Sequence, residues 1–326
     1  MSKGKQRTWA MLGVGLAVSA LFLYLALRHV DSGGLSKAFS SVNLLFVLTS
    51  AAALVMGLLF RALRWRVIAT APLSAHRSFY RATNVGALSN LLLPGRLGEI
   101  ARIVTLTQLS GMRLTVAVAS ALIDRLIDVF VLLVSALTLN WLLPLSAALH
   151  RSLIILLVSA SVIVTGFLIL AWTVSAWQAS FARFAKRWLF RWKMRPEEFL
   201  GELQVEIRQL LHSCLSVRLA LLAVMILGAD CAAVAASMWA LNIFLPIRAA
   251  LLLWVFISAG SLLPSAPGYV GVYQLAAVWA LSYFAVPPSG AVAVAVVLQI
   301  TTLTVAALMV GPSFWGFAKS ALVARN

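Results

Sequence analysis

Six stretches of this chain stay apolar for about 18 residues or more, at 9–27, 43–60, 114–143, 152–172, 218–245 and 290–317. A bilayer's hydrocarbon core, about 30 Å thick, takes about 20 helical residues to cross, so each stretch reads as a spanning helix. Composition agrees, with 62% hydrophobic and only 11% charged residues. That balance excludes a soluble domain and predicts an all-α, polytopic membrane helix bundle, a single transmembrane domain over 1–326.

Two further apolar regions, 78–112 and 249–286, are interrupted by segments that echo one another: Pro94-Gly95-Arg96-Leu97-Gly98 and Pro267-Gly268-Tyr269-Val270-Gly271. Both read Pro-Gly-x-aliphatic-Gly. With 10 Pro and 19 Gly in the chain, chance supplies on the order of 0.03 copies of Pro-Gly-x-x-Gly, so two copies point to an internal repeat. A Pro-Gly break at membrane depth strips backbone groups of helix partners, which is tolerated only inside protein or beside a polar cavity. Broken helices in corresponding halves are the best sequence pointer to a transporter's binding site. The halves are expected at 1–143 and 218–326, joined by a connector at 175–217.

The formal net charge of +17 would suggest nucleic acid in a soluble protein. In a membrane bundle it reads instead as topogenic arginine with attraction to anionic lipid, and no nucleic-acid partner is expected. Lys3, Lys5, Arg7, Arg61, Arg64, Arg66, Arg77, Arg81, Arg96, Arg102, Arg113, Lys319 and Arg325 fall with the connector on one side. Arg28, Lys37, Arg151 and Arg248 fall on the other. The bias places both termini in the cytoplasm of a cell with this protein in its inner membrane, whether the Pro-Gly regions are re-entrant or cross twice. The first break then opens from the cytoplasm and the second from the far side, an inverted repeat suited to alternating access. The stretch 9–27 is too long for a signal-peptide core and is expected as a retained span. Cys214 and Cys231 offer neither a disulfide framework nor a metal-ligand spacing.

Within the connector, Trp177, Phe181, Phe184, Trp188 and Trp192 recur at spacings of three and four among Arg183, Lys186, Arg187 and Arg191. That pattern predicts a helix lying in the cytoplasmic leaflet. A second amphipathic helix is expected from Pro196, with Glu197 and Glu198 in its first turn.

Polar side chains at membrane depth are costly and mark candidate function. At the first break, Arg96 and the unpaired N–H groups of a half-helix starting near Leu97 would suit a phosphate, with Gly98 allowing close approach. Glu99 and Arg102, three apart, can pair there. Arg61, Arg64, Trp65 and Arg66 at the end of the second span read as interfacial anchors that can also gather lipid phosphate. Asp124, Arg125 and Asp128 interrupt an apolar span, either as a polar cavity or as an internally satisfied clamp that neutralises an arginine from the first break. Asp230, among Gly228, Ala229, Ala232 and Ala233, is expected to meet another helix, carrying a proton or making a structural hydrogen bond. The second break has no charge. Its Ser265, Tyr269, Tyr273 and Gln274 supply hydrogen bonds, while Pro267, Gly268 and Gly271 shape the backbone.

The Arg61–Arg66 patch, the segment from Leu93 to Glu99, the Asp124-Arg125-x-x-Asp128 motif and the stretch from Pro264 to Gln274 together resemble the transmembrane region of lysylphosphatidylglycerol synthases. Stand-alone relatives of that region are grouped as flippase-like integral membrane proteins. Gly268-Tyr269 stands where the family pattern has two glycines. All 326 residues are occupied by the membrane region, so the resemblance implies no synthase activity. It implies movement of an anionic, aminoacylated, glycosylated or polyprenyl-phosphate-linked lipid between leaflets. No cofactor, metal or catalytic residue is expected. The competing expectations are a membrane transferase using Asp124 or Asp128 as base, and a non-catalytic partner of a lipid-modifying enzyme.

Overall fold

The computed structural model describes residues 17–28, 30–93, 97–143, 213–262 and 266–323, and a few positions between 151 and 205. The expected span at 152–172, most of the connector, the basic N-terminus, Pro94-Gly95-Arg96, Pro264-Ser265 and the Cys214 side chain lie outside the described residues. The described elements are α1 (Ala17–Leu27), α2 (Ser32–Ser40), α3 (Leu44–Ile68), α4 (His76–Leu92) and α5 (Gly98–Ser110). They continue with α6 (Leu114–Leu142), α7 (Ser213–Trp239), α8 (Ile247–Gly260), α9 (Val272–Ser282) and α10 (Pro288–Val323). Among the described residues there is no strand. The fold is an all-α membrane bundle.

Leu44–Ile68, Leu215–Trp239 and Pro288–Gly311 are each long and apolar enough to cross a bilayer. α3 extends well past the end expected at residue 60. Its last two turns carry Arg61, Arg64 and Arg66, and they stay helical because the side chains that would break an apolar run find partners in the protein. The helix then stops in a Schellman turn: Ala71 N–H donates to the Arg66 carbonyl at 3.1 Å, with Thr70 at φ 47°. α7 ends likewise around Asn242, φ 59°, as Ile243 N–H reaches the Met238 carbonyl at 3.0 Å.

Each irregular region is a pair of short helices. α4 and α5 hold 17 and 13 residues, and α8 and α9 hold 14 and 11. At 1.5 Å per residue none exceeds about 26 Å, short of the roughly 30 Å core. The Pro-Gly segments separate the members of each pair.

The chain divides into two compact units. Unit one takes Met1–Leu58, Thr83–Ala101 and Leu227–Asn326; unit two takes Leu59–Ala82 and Arg102–Ile226. In unit one, α3 meets α7 through Ser50, whose hydroxyl lies 3.0 Å from the Ala233 carbonyl and 3.0 Å from the Ser237 hydroxyl, all buried. Small side chains with hydroxyl bonds bring helices close where lipid gives no hydrophobic drive. Asp31 caps α2 through Gly33 and Gly34 N–H, and Gly34 abuts Ser289 at the start of α10. Unit two is built on Trp65, edge-on to Phe79 with ring centroids 5.1 Å apart, packed with Ala69, Ala82, Leu106, Ala117 and Ala121.

Candidate functional site

In unit two, α3, α5 and α6 bring five charged side chains together. Arg64 and Asp124 are each 1% exposed. Arg64 Nε donates to Asp124 Oδ1 at 2.8 Å, and its Nη2 donates to Asp128 Oδ1 at 2.5 Å and to the Asp124 carbonyl at 3.3 Å. Arg102 Nη1 donates to Asp124 Oδ2 at 3.0 Å and its Nη2 to the Ala121 carbonyl at 3.1 Å. Arg125 Nη1 completes the set, reaching Asp128 Oδ2 at 2.8 Å. Every carboxylate oxygen of both acids thus accepts from a guanidinium.

The spacings explain the assembly. Asp124 and Asp128, four apart, share a face of α6. Arg64 is long enough to bridge the pair from α3, and Arg102 enters from α5 in the layer of Trp65. The Arg102 guanidinium stacks 4.6 Å above the Trp65 ring, whose indole N–H is spent on Ser120 Oγ at 3.1 Å. Burying ions costs several kcal/mol each unless partners replace water. Here the acids are shared and the face of Arg102 is covered by Trp65. Among the described residues the cluster sets three guanidiniums against two carboxylates.

Sequence reasoning set Arg64 and Trp65 at a headgroup interface. They are instead buried, because α6 supplies the acids for one and Ser120 with Arg102 for the other. The sequence signal for this was present: an arginine-rich helix end and a two-acid helix face in one apolar chain are complementary. Arg61, one turn before Arg64, is partly buried.

Unit one holds the breaks. Gly98 opens α5 against α4, where a Cβ would coincide with the Gly86 carbonyl oxygen and the Asn90 amide. Asn90 Nδ2 donates to Glu99 Oε1 at 3.3 Å, tying the two arms of the first break. The second break begins as Ala266 N–H donates to Ser19 Oγ of α1 at 2.7 Å. Pro267–Tyr269 then form one 3-10 turn with Gly268 and Tyr269 at φ 74° and 56°. Tyr269 therefore occupies a left-handed conformation that favours glycine. Its ring stacks on Tyr273, centroids 6.2 Å apart.

A carboxamide relay fixes this turn. Gly271 N–H donates to Gln274 Oε1 at 2.8 Å, Gln274 Nε2 donates to Gln299 Oε1 at 2.8 Å, and Gln299 Nε2 donates to the Gly268 carbonyl. Gln299 went unnoticed in the sequence, although it is a carboxamide within an apolar span. The two breaks also adjoin. A Cβ at Gly268 would come 3.9 Å from the carbonyl oxygen of Leu91, in the last turn of α4. Asp230, the remaining candidate, accepts from the Trp254 indole N–H of α8 at 3.0 Å.

These features define a polytopic α-helical membrane protein with a buried guanidinium–carboxylate network and two helix breaks side by side. The family model for the lysylphosphatidylglycerol synthase transmembrane region matches residues 12–310, and the chain belongs to that family. No match was found among curated proteins or among solved structures.

Proposed function

We propose that this protein is a lipid flippase or facilitator, moving an anionic, aminoacylated, glycosylated or polyprenyl-phosphate-linked lipid between leaflets of the cell's inner membrane without covalent chemistry. The observation that carries this reading is the adjacency of the breaks, Gly268 beside the Leu91 carbonyl. Helix ends and irregular backbone meeting inside a membrane unit are how transporters build a polar site without exposing backbone to lipid. Membership of a family tied to lipid modification supports a lipid as cargo. The arginine-rich composition, with a formal net charge of +17, supports an anionic headgroup, while acyl or prenyl chains stay in the bilayer.

In this account both termini face the cytoplasm. A lipid-modifying enzyme in the same membrane is the partner that would supply the lipid. Reconstitution in liposomes with labelled phosphatidylglycerol tests the reading. Movement of chemically unchanged lipid between leaflets is expected. A new lipid product would establish the transferase instead, and neither movement nor product would leave the protein as a partner subunit.

A further inference from the structure

Buried polar side chains in unit one find partners: Ser50 and Ser237 bond each other, Gln274 bonds Gln299, and Thr301 bonds the Val297 carbonyl. Two neighbours on α4 do not. Asn84 is 0% exposed and Thr83 6% exposed, yet Asn84 Nδ2, Asn84 Oδ1 and Thr83 Oγ1 have no hydrogen-bond partner among the described residues. Thr301 and Thr302 show the alternative open to a helical threonine, each returning its hydroxyl to the carbonyl four residues back at 2.7 Å. Thr83 leaves that bond unmade. A buried donor or acceptor without a partner has lost its hydration and gained nothing, so three such atoms on adjacent residues disfavour the conformation that seals them. Their place on α4 is informative. Leu91 lies seven residues after Asn84, two turns further along the same side of the helix and about 10 Å down its axis. Its carbonyl is where the second break comes against α4. The unpaired amide is thus in line with the meeting point of the two breaks.

We infer that Asn84, with Thr83 beside it, is a hydrogen-bonding site for the uncharged, hydroxyl-bearing part of a lipid headgroup, reached when the buried side of α4 opens. The inference rests on the flippase reading only for the lipid being carried across. The atoms select the chemistry. A carboxamide offers a donor and an acceptor side by side, and a threonine hydroxyl offers both in one atom. A phosphate oxygen would accept from Asn84 Nδ2 and leave Oδ1 facing negative charge, whereas an ammonium would serve Oδ1 alone. A hydroxyl serves both, and a vicinal diol can answer the two amide atoms at once. Pairing by such a group relieves in the open state what burial costs in the closed one, so the ligand favours opening.

A glycerol headgroup and a sugar both carry vicinal hydroxyls, and the test separates them. Purified protein in phosphatidylcholine nanodiscs is titrated with labelled phosphatidylglycerol and labelled phosphatidylmethanol, which share one phosphate charge and differ in the diol. Labelled glucosyl diacylglycerol, hydroxylated and uncharged, is the third probe. Wild-type protein should bind a hydroxylated probe about tenfold more tightly than phosphatidylmethanol. Asn84→Leu should erase that preference while binding phosphatidylmethanol like the wild type, and Thr83→Val, which removes only the hydroxyl, should reduce it. Thermal midpoints identify folded variants, and Asn84→Ala serves if Asn84→Leu does not fold. A preference confined to phosphatidylglycerol assigns the glycerol headgroup; one confined to the glucosyl lipid assigns a sugar; one for both assigns the hydroxyls themselves. Wild-type protein without any preference, or a folded Asn84 variant that keeps it, overturns the inference and leaves the flippase reading untouched. An Asn84-dependent preference in protein that moves no lipid between leaflets would contradict the flippase reading and leave this site standing.

Discussion

Asp124 holds two guanidiniums at once, one on each oxygen, from arginines 60 and 22 residues before it in the sequence. Its removal would take a carboxylate from two buried guanidiniums, leaving Arg64 to Asp128 and taking from Arg102 its bond to Asp124 Oδ2. Asp124→Ala should therefore cost about 3–5 kcal/mol, read as a large fall in the thermal midpoint in detergent. Adding Arg102→Leu to that variant should recover part of the loss, since it deletes a buried charge that has lost its bond to Asp124. Simple additivity of the two changes would show that the residues are not coupled. The charges themselves were visible in the sequence as interruptions of apolar runs. Their complementarity was visible too, but the particular pairing was not, because nothing local to residues 64 and 124 says that α3 continues past the expected interface and presents Arg64 to α6.

At the scale of elements, the breaks divide what a sequence can and cannot say. Pro-Gly-x-x-Gly marked where helices stop, since proline removes a donor and glycine admits left-handed backbone. What the breaks pack against depends on distant residues: Ser19 of α1, Gln299 of α10 and Leu91 of α4. An isolated carboxamide in an apolar span hints at such contacts but does not name the partner. Gly271 makes the dependence testable. It has φ 86°, and a Cβ there would run into the Ser19 carbonyl oxygen and Leu23 nitrogen of α1. Gly271→Ala should lower the thermal midpoint and loosen the second break, raising protease or thiol-reagent access around Val270. Gly228→Ala is the matched control, because open space surrounds that position on α7. It should be neutral or stabilising by up to about 1 kcal/mol from helix propensity. Equal behaviour of the two variants would mean that the contact between α1 and the second break does not hold the break in place.

Across the whole molecule, apolar runs sufficed to read a polytopic helical bundle, because lipid permits so few spanning structures. The grouping of its parts was less legible. Unit one gathers segments from the beginning, middle and end of the chain, and the long-range packing that joins them leaves no periodic trace. The central claim, that the breaks are working parts of a lipid pathway, is tested most directly by accessibility from each face of the membrane. Leu97 and Val270, each just past a Pro-Gly pair, are 44% and 40% exposed. Single cysteines at these positions, in protein lacking Cys214 and Cys231, should react with a small impermeant thiol reagent. Leu97→Cys should label mainly from the cytoplasmic side and Val270→Cys mainly from the far side. Bound phosphatidylglycerol should shift the two rates in opposite directions, as opening one path closes the other. If both cysteines stay inert from either face, or label equally from both with no response to lipid, the breaks are packed kinks and the account is contradicted.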